Sequence, residues 1–515
     1  MTYQFDILSC APPNITLRDV QKKALLWVQN NWEKLDVMTI NIPVGGGKSI
    51  VAMTVCEWTK RNGLGGSATI TPTKILQDQY TNDFTWVPML KGMDSYDCLA
   101  TPAGNCRSTK RIFKKCCGPQ CPYIVTRSAC QTAPVSIYNF HSYYYNDMHK
   151  RNVVIDEAHN AAAFLFDMFA IKLWQPEWKF DPNIDPTVEN VQGIIENALI
   201  ILQQQYEIAL ANKVESQMEE LESEINKYTS VEGVLKSFGK DVLIVKKEEE
   251  YNGKMVKAAK GTKQIMIHVK PLRVSSIADG ILWPVGVTNK IVLTSATIGP
   301  NDVKELGLSD RKCGYFESES PIPKERRPFI VLPVANMNYA NQAESIPVIA
   351  KYLEVLAARH PDDKGLVHCT YGVAVQLQKL LKGSPRFVFH DKYNKNQKYL
   401  DFRNQKGNSI LVASGMGEGV DLPDDCARWQ VITKVQWPSL ADDVNAYRAH
   451  NEPDMYQWET VRTIIQQSGR IVRGPADFGV TYMLDAGFEK LWDRTKNKKM
   501  WPGWFVEAIT WVRGK

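Results

Sequence analysis

At 515 residues the chain is too long for one ordinary hydrophobic core, and two to four domains are expected. Hydrophobic residues make up 44% and charged residues 23%, which excludes a disordered chain, and no apolar run is long enough for a transmembrane helix. A formal net charge of +6 permits nucleic-acid binding without requiring it.

The opening stretch MTYQFDILSCAPPNITLRDVQ has no cationic start before an apolar core, so a cytoplasmic protein without a membrane partner is expected. Six of the eleven cysteines fall between Cys98 and Cys130. In an intracellular protein such a cluster is more often a metal site than a disulfide framework.

Taken in chain order, VMTINIPV (37–44) reads as a buried strand before a glycine turn, and SIVAMTVCEWTKR as the helix that follows. SATITPT (67–73) is a second strand, with helical KILQDQYTNDF behind it. After the cysteine-rich stretch, VSIYNF (135–140) and NVVIDEAH (152–159) resume the pattern. Strands alternating with helices imply a parallel sheet, and hence an α/β fold.

Residues 187–229 read differently. Val214, Met218, Leu221, Ile225 and Tyr228 step by four and three, giving one apolar helical stripe suited to packing. Asn252-Gly253 between DVLIVKKEEEY and KMVKAAK is a hairpin signal. IMIHVKPL (265–272) and IVLTSATI (291–298) return to sheet-like sequence. From about 325 a second series begins, with KGLVHCTY, SPRFVFH, NSILVASG, WQVITKV and VTYMLD as buried strands.

Four motifs carry chemistry. In IPVGGGKS (42–49), Val44, Gly45, Gly46 and Gly47 form a turn whose backbone N–H groups can approach a polyphosphate. Lys48 would reach the terminal phosphates and Ser49 would hold Mg²⁺. Ile42 stands where the generic phosphate loop has glycine. In VVIDEAHN (153–160), Asp156 would position Mg²⁺ through water, Glu157 would activate the hydrolytic water, and His159 would link the site to later motifs. TSATI (294–298) offers hydroxyls at a strand end. GEGVDL (417–422), with Asp421, and QQSGRIVRG (466–474) lie in the second half. Gln466, Gly469, Arg470 and Arg473 fit Q-x-x-G-R-x-x-R, a spacing that puts both arginines on one helical face, as arginine fingers for a γ-phosphate.

The order GKS, TPTK (71–74), DEAH, TSAT, GEGVDL, QxxGRxxR is that of superfamily 2 helicases. Cysteines between TPTK and DEAH, with an insertion between DEAH and TSAT, resemble the XPD/DinG family of iron–sulfur DNA helicases over roughly residues 15–490. KGMDSYDC (91–98), CPY (121–123), SIYNF (136–140) and KPLRVSS (270–276) are further local matches. Arg18 and Gln21 sit where that family has a residue pair near the adenine.

The resemblance implies two RecA-like P-loop NTPase domains with a cysteine-rich metal-binding insertion and a mainly helical Arch-type insertion. The implied layout is residues 1–93, 131–160 and 265–320 for motor domain 1, 94–130 for the cysteine insertion, 161–264 for the Arch-like insertion and 321–515 for motor domain 2. It implies ATP and Mg²⁺, and translocation five-prime to three-prime on single-stranded or forked DNA. By the same resemblance Cys98, Cys106, Cys117 (or its neighbour Cys116) and Cys121 hold a [4Fe–4S] cluster, with zinc as the alternative because four thiolates suit either. The cysteine region is shorter than the family's usual spacing. Cys130 reads as a small buried residue.

Strand-gripping loops are expected near Thr71–Lys74 and at Thr370 and Tyr371. Arg107, Lys110 and Arg111 would meet phosphates, and Tyr96 or Phe113 would stack bases or simply pack. A monomeric bacterial or phage protein serving DNA replication, recombination or repair is the expectation. An RNA-directed ATPase and a binding module without turnover are the competing classes.

Overall fold

The computed structural model describes residues 3–72, 74–99, 106, 118–253, 255–256, 259–416 and 421–512, with residues 74–75 as backbone only. The first half contributes β1 (Val37–Asn41), β2 (Ser67–Thr71), β3 (Met89–Leu90), β4 (Val135–Asn139) and β5 (Asn152–Asp156). The chain then leaves for β6 (Ile171–Trp174), β7 (Val242–Glu250) and β8 (Lys263–Pro271), and returns for β9 (Lys290–Ser295) and β10 (Cys313–Glu317). The first sheet runs β10-β1-β9-β5-β2-β4-β3 with parallel neighbours.

Every residue of β1, β2 and β5 is buried. That explains their continuous apolar runs: helices cover both faces of a parallel sheet. Ile40, Ile137 and Val154 face the helix Lys48–Arg61 through Val51, Val55 and Trp58, while Ile70, Val153, Ile155 and Leu293 join the opposite core with Leu165.

The second half repeats the architecture. β11 (Phe329–Ala335), β12 (Gly365–Cys369), β13 (Phe387–Val388), β14 (Ile410–Ser414), β15 (Trp429–Ile432), β16 (Val480–Asp485) and β17 (Ile509–Trp511) form a parallel sheet in the order β13-β14-β12-β15-β16-β11-β17. SPRFVFH therefore supplies only a two-residue strand.

Between DEAH and TSAT, the helices Val188–Ala211 and Glu215–Phe238 pack side by side over the antiparallel sheet β6-β8-β7. Met218 and Tyr228 are buried on the expected stripe and Leu221 and Ile225 pack at its edge, whereas Val214 precedes the helix and is exposed. IMIHVKPL does not rejoin the motor sheet: β8 pairs with β6 and β7, so the inserted unit extends to Pro271. Residues 265–271 alternate between the two faces of a small sheet, a pattern that looks in sequence like any other strand. The hairpin β7–β8 exists, but Asn252-Gly253 opens a connection of twelve residues rather than forming a two-residue turn.

The consequence for function is positional. β1, β9 and β5 are neighbours in register, with Asn41 beside Ser295 and Asp156 beside Thr294. The turns that follow them therefore emerge together at the carboxyl edge of the sheet, where parallel α/β sheets bind ligands.

Candidate ATP site between the two parallel sheets

After β1 the turn Pro43–Gly47 feeds the helix Lys48–Arg61, and Gly45 and Gly47 both have φ of +79°, a conformation that disfavours any residue with a Cβ. The first N–H groups of that helix are unpaired by the helix itself and suit an anion. Gln21 is buried against this turn. Its Oε1 accepts from the Arg18 backbone N–H at 2.8 Å and its Nε2 donates to the Gly47 carbonyl at 3.2 Å, while the Arg18 guanidinium donates to the Gly45 carbonyl. The pair expected near the adenine thus also braces the phosphate turn.

Asp156 and Glu157 stand at the tip of β5. Asp156 is buried, and its carboxylate accepts from Ser49 Oγ at 3.2 Å, Tyr80 OH at 2.8 Å, Thr294 Oγ1 at 3.0 Å and the Glu157 N–H at 3.0 Å. Burial, then the neighbouring Glu157 charge, push the Asp156 carboxyl above its ordinary range, against the pull of Lys48 and the donors. Burial would raise Glu157 too, but the Lys48 ammonium 3.1 Å away outweighs it and holds Glu157 below the usual range. The Glu157 backbone is left-handed at φ +50°, uncommon for a residue with a side chain and frequent at functional turns.

His159 links the three motifs. Its Nδ1 lies 2.7 Å from Ser295 Oγ, and Ser295 Oγ donates to Glu157 Oε2 at 3.3 Å. Its Nε2 accepts from Gln466 Nε2 at 2.8 Å and Asn160 Nδ2 at 3.1 Å. These partners assign the neutral tautomer with the proton on Nδ1. Burial, helped by the nearby Arg462, Lys48 and Arg470 charges, lowers its pKa to about 4. Gln466 also reaches Thr297 Oγ1 at 3.4 Å. A continuous hydrogen-bonded chain therefore runs from Glu157 in the first half, through Ser295 and His159, to Gln466 in the second.

Gln466 belongs to the helix Pro453–Ser468, which ends at Gly469. Arg470 and Arg473 consequently lie in the loop beyond it, not on one helical face as their spacing suggests. This loop lies directly on the phosphate turn: a Cβ at Gly45 would fall 2.0 Å from the Arg473 carbonyl oxygen, and one at Gly469 3.0 Å from Val44 Cγ2. Arg473 pairs through Nε with the Asp421 carboxylate, so Asp421, expected to contact the cofactor, meets an arginine here. Gly417, Glu418, Gly419 and Val420 of the same motif lie outside the described residues. The buried Asp477 carboxylate accepts from the Arg473 N–H at 2.9 Å, the Asp424 N–H at 3.2 Å and Arg428 at 2.7 Å, tying both loops together.

Other expected contacts divide. Thr71 is fully buried and its hydroxyl donates to the Tyr138 carbonyl at 3.4 Å, which removes it from any strand-gripping surface. Tyr96 packs edge-on against Tyr123 at 5.5 Å and accepts from the Lys91 N–H, so it is a packing residue. Cys130 is fully buried in the core, as read from sequence. Cys98, Cys106 and Cys121 are buried, and the sulfurs of Cys106 and Cys121 are 3.7 Å apart. Among the described residues no group of three or more His, Cys, Asp or Glu stands positioned to hold a metal ion. Cys116, Cys117, Phe113, Arg107, Lys110 and Arg111 lie outside them.

Sequence reasoning missed Tyr80, Asp477 and the cross-sheet contacts of Asp302, whose carboxylate accepts from Arg462 and from Trp458 Nε1 at 3.1 Å. These lie outside the short motifs. Only the aspartate in ADFG, seven residues after QSGR ends at Arg470, offered a local signal.

Residues 14–176 match the type III restriction enzyme res subunit family, and residues 357–506 match the helicase C-terminal domain family. None of the curated proteins compared matches the chain. Among solved structures, an XPD helicase superposes with a TM-score of 0.65 at 16% identity, covering 97% of this chain and 100% of that one. Xpd4 of S. tokodaii does so with a TM-score of 0.57 at 14% identity, covering 96% and 100%. The second half of the chain thus matches a helicase C-terminal domain family, and the chain as a whole has the fold of the XPD helicases.

Proposed function

We propose that the chain is an ATP-driven DNA helicase that translocates five-prime to three-prime along single-stranded DNA and unwinds forked duplexes. The observation that carries the reading is the hydrogen-bonded chain Glu157–Ser295–His159–Gln466, which joins the carboxylate read as hydrolytic in one domain to the helix that leads into the arginine-bearing loop of the other. Such a chain makes hydrolysis and relative domain position depend on each other.

In this reading the phosphate turn binds the polyphosphate, and Lys48 leaves Glu157 to meet the terminal phosphate. Glu157, released, would take the proton of the attacking water. Arg470 and Arg473 would stabilise the charge that develops on the γ-phosphate. Ser49 and Asp156 would hold Mg²⁺, which neutralises polyphosphate charge when bound, and their carboxylate and hydroxyl donor set suits it. The strand would cross the carboxyl edge of the second sheet. There Tyr339, Tyr371 and Tyr393 are 97%, 63% and 86% exposed after β11, β12 and β13, and Lys392 lies over the Tyr393 ring. Exposed aromatics beside cations suit base stacking and phosphate contact.

By the family resemblance the cysteine segment would hold a thiolate-bound metal centre; of its described cysteines, Cys106 and Cys121 stand together. Cys98, Cys106, Cys121 and Cys116 or Cys117 would hold it, and the group would stiffen the insertion as a wedge. The family resemblance favours [4Fe–4S]. The 3.7 Å between Cys106 and Cys121 favours zinc, since ~2.3 Å metal–sulfur bonds set tetrahedral thiolates about 3.8 Å apart. Iron and zinc analysis after anaerobic purification separates the two.

Unwinding assays with five-prime and three-prime tails, and ATPase assays with single-stranded DNA or RNA, test the motor. Stimulation by DNA and unwinding from the five-prime tail are expected. Stimulation by RNA alone would select the RNA-directed class, and no stimulation by either would remove the motor reading.

A further inference from the structure

The four donors to Asp156 have different origins. Ser49, Thr294 and the Glu157 N–H come from the motifs, whereas Tyr80 comes from the helix Lys74–Asp83, behind the second strand. Tyr80 is fully buried, its ring 5.2 Å from Phe84 within the core cluster of Ile40, Ile137 and Val154. Packing would be served equally by phenylalanine. The hydroxyl instead meets the one Asp156 oxygen, Oδ2, that Ser49 also contacts.

That oxygen has few alternatives. Thr294 and the Glu157 N–H both occupy Oδ1. The Ser49 hydroxyl is the group a phosphate loop gives to Mg²⁺. Once it turns away, Tyr80 is the remaining described side-chain donor to Oδ2. A buried carboxylate oxygen without a donor is costly, and the carboxylate would rotate or draw a proton. Groups behind a metal-holding residue fix its orientation, and their loss weakens metal binding roughly 10–100-fold.

We propose that Tyr80 is a positioning residue for magnesium: its hydroxyl fixes the rotation of the Asp156 carboxylate so that one lone pair of Oδ2 stays directed at the Mg²⁺ site. The assignment rests on the ATP–Mg²⁺ reading of the site. It accounts for a tyrosine inside an apolar core, where its hydroxyl meets this carboxylate and the neighbouring Ser49 hydroxyl.

The test compares wild type with Tyr80→Phe in binding of a fluorescent ADP, in Mg²⁺ and in EDTA, with a Mg²⁺ titration of the bound nucleotide signal. Tyr80→Phe is expected to leave affinity in EDTA within about twofold and to raise the Mg²⁺ midpoint about tenfold. Phe84→Leu loosens the same packing without touching the hydroxyl and should leave the midpoint in place. An unchanged midpoint in Tyr80→Phe, or an equal shift in both variants, would overturn the assignment. A wild-type protein whose nucleotide binding ignores Mg²⁺ would instead overturn the site reading.

Discussion

At the scale of single residues, Arg473 carries the clearest expectation. Its backbone is fixed by Asp477 and its side chain by Asp421, so it is held ready beside the phosphate turn. In the proposed motor Arg473→Ala should cut kcat about a thousandfold or more while nucleotide affinity changes far less, because there the arginine would act on charge that exists only in the transition state. Steady-state kinetics with direct nucleotide binding checks the split. His368 supplies a pH prediction. It is buried on β12, Nε2 donating to Gln430 Oε1 at 3.1 Å, and Gln430 passes hydrogen bonds to the Ser468 carbonyl and Thr481 Oγ1. Burial lowers its pKa from 6.5 to about 4. A depressed pKa means the unfolded chain binds the proton first. The stability is therefore whole above about pH 6.5 and is lost as pH falls toward 4, by up to ~3 kcal/mol. The melting temperature should fall across that window, and His368→Gln should flatten the fall.

At the scale of elements, what was legible followed from short-range rules. The phosphate turn, DEAH and TSAT each sit at a strand end, and continuous apolar runs announce buried parallel strands. What was illegible depends on partners distant in the chain. Arg470 and Arg473 have helical spacing, yet Gly469 ends the helix and the arginines follow the phosphate turn instead. Residues 265–271 read as strand, correctly, but no local feature says which of two sheets a strand joins. Thr71 belongs to a motif suited to gripping a strand, but its hydroxyl turns into the sheet toward Tyr138. Tyr80 is one tyrosine among twenty until the fold sets it beside Asp156. The turn itself gives a sharp element-scale prediction. Gly45→Ala would place a methyl 2.0 Å from the Arg473 carbonyl on a backbone with φ +79°. It should weaken ATP hydrolysis strongly by holding the two elements apart, while secondary structure by circular dichroism stays unchanged.

At the scale of the whole molecule, the inserted unit and the segment just after it are tied to the second half as well as to the first. Lys247 on β7 meets Asp443 at 3.0 Å, Lys270 on β8 meets Asp442, and Arg273 meets Glu452 at 2.6 Å. Asp442 at the same time caps the helix Asp443–Asn451, accepting from the N–H groups of Val444 and Asn445. Deeper in the interface Arg448 is sandwiched between Glu305 at 2.8 Å and Glu459 at 2.9 Å, with its guanidinium over the Phe166 ring. These two layers differ in dielectric and so in energy. A partly exposed pair contributes about 0–1 kcal/mol and is screened by salt. Removing one member of a buried pair strands its partner at a cost of roughly 3–5 kcal/mol. Lys247→Ala should therefore lower stability by less than ~1 kcal/mol in low salt, an effect that shrinks in 1 M salt. Glu305→Ala, which leaves Arg448 with half its counter-charge, should cost several times more and keep that cost in high salt. Urea titrations at two ionic strengths measure both. Equal and equally screened losses would mean that the Arg448 layer is solvated and the halves are joined only by surface charge. The expected contrast would mean that a buried ionic core fixes the second domain against the first, with the inserted sheet riding on it.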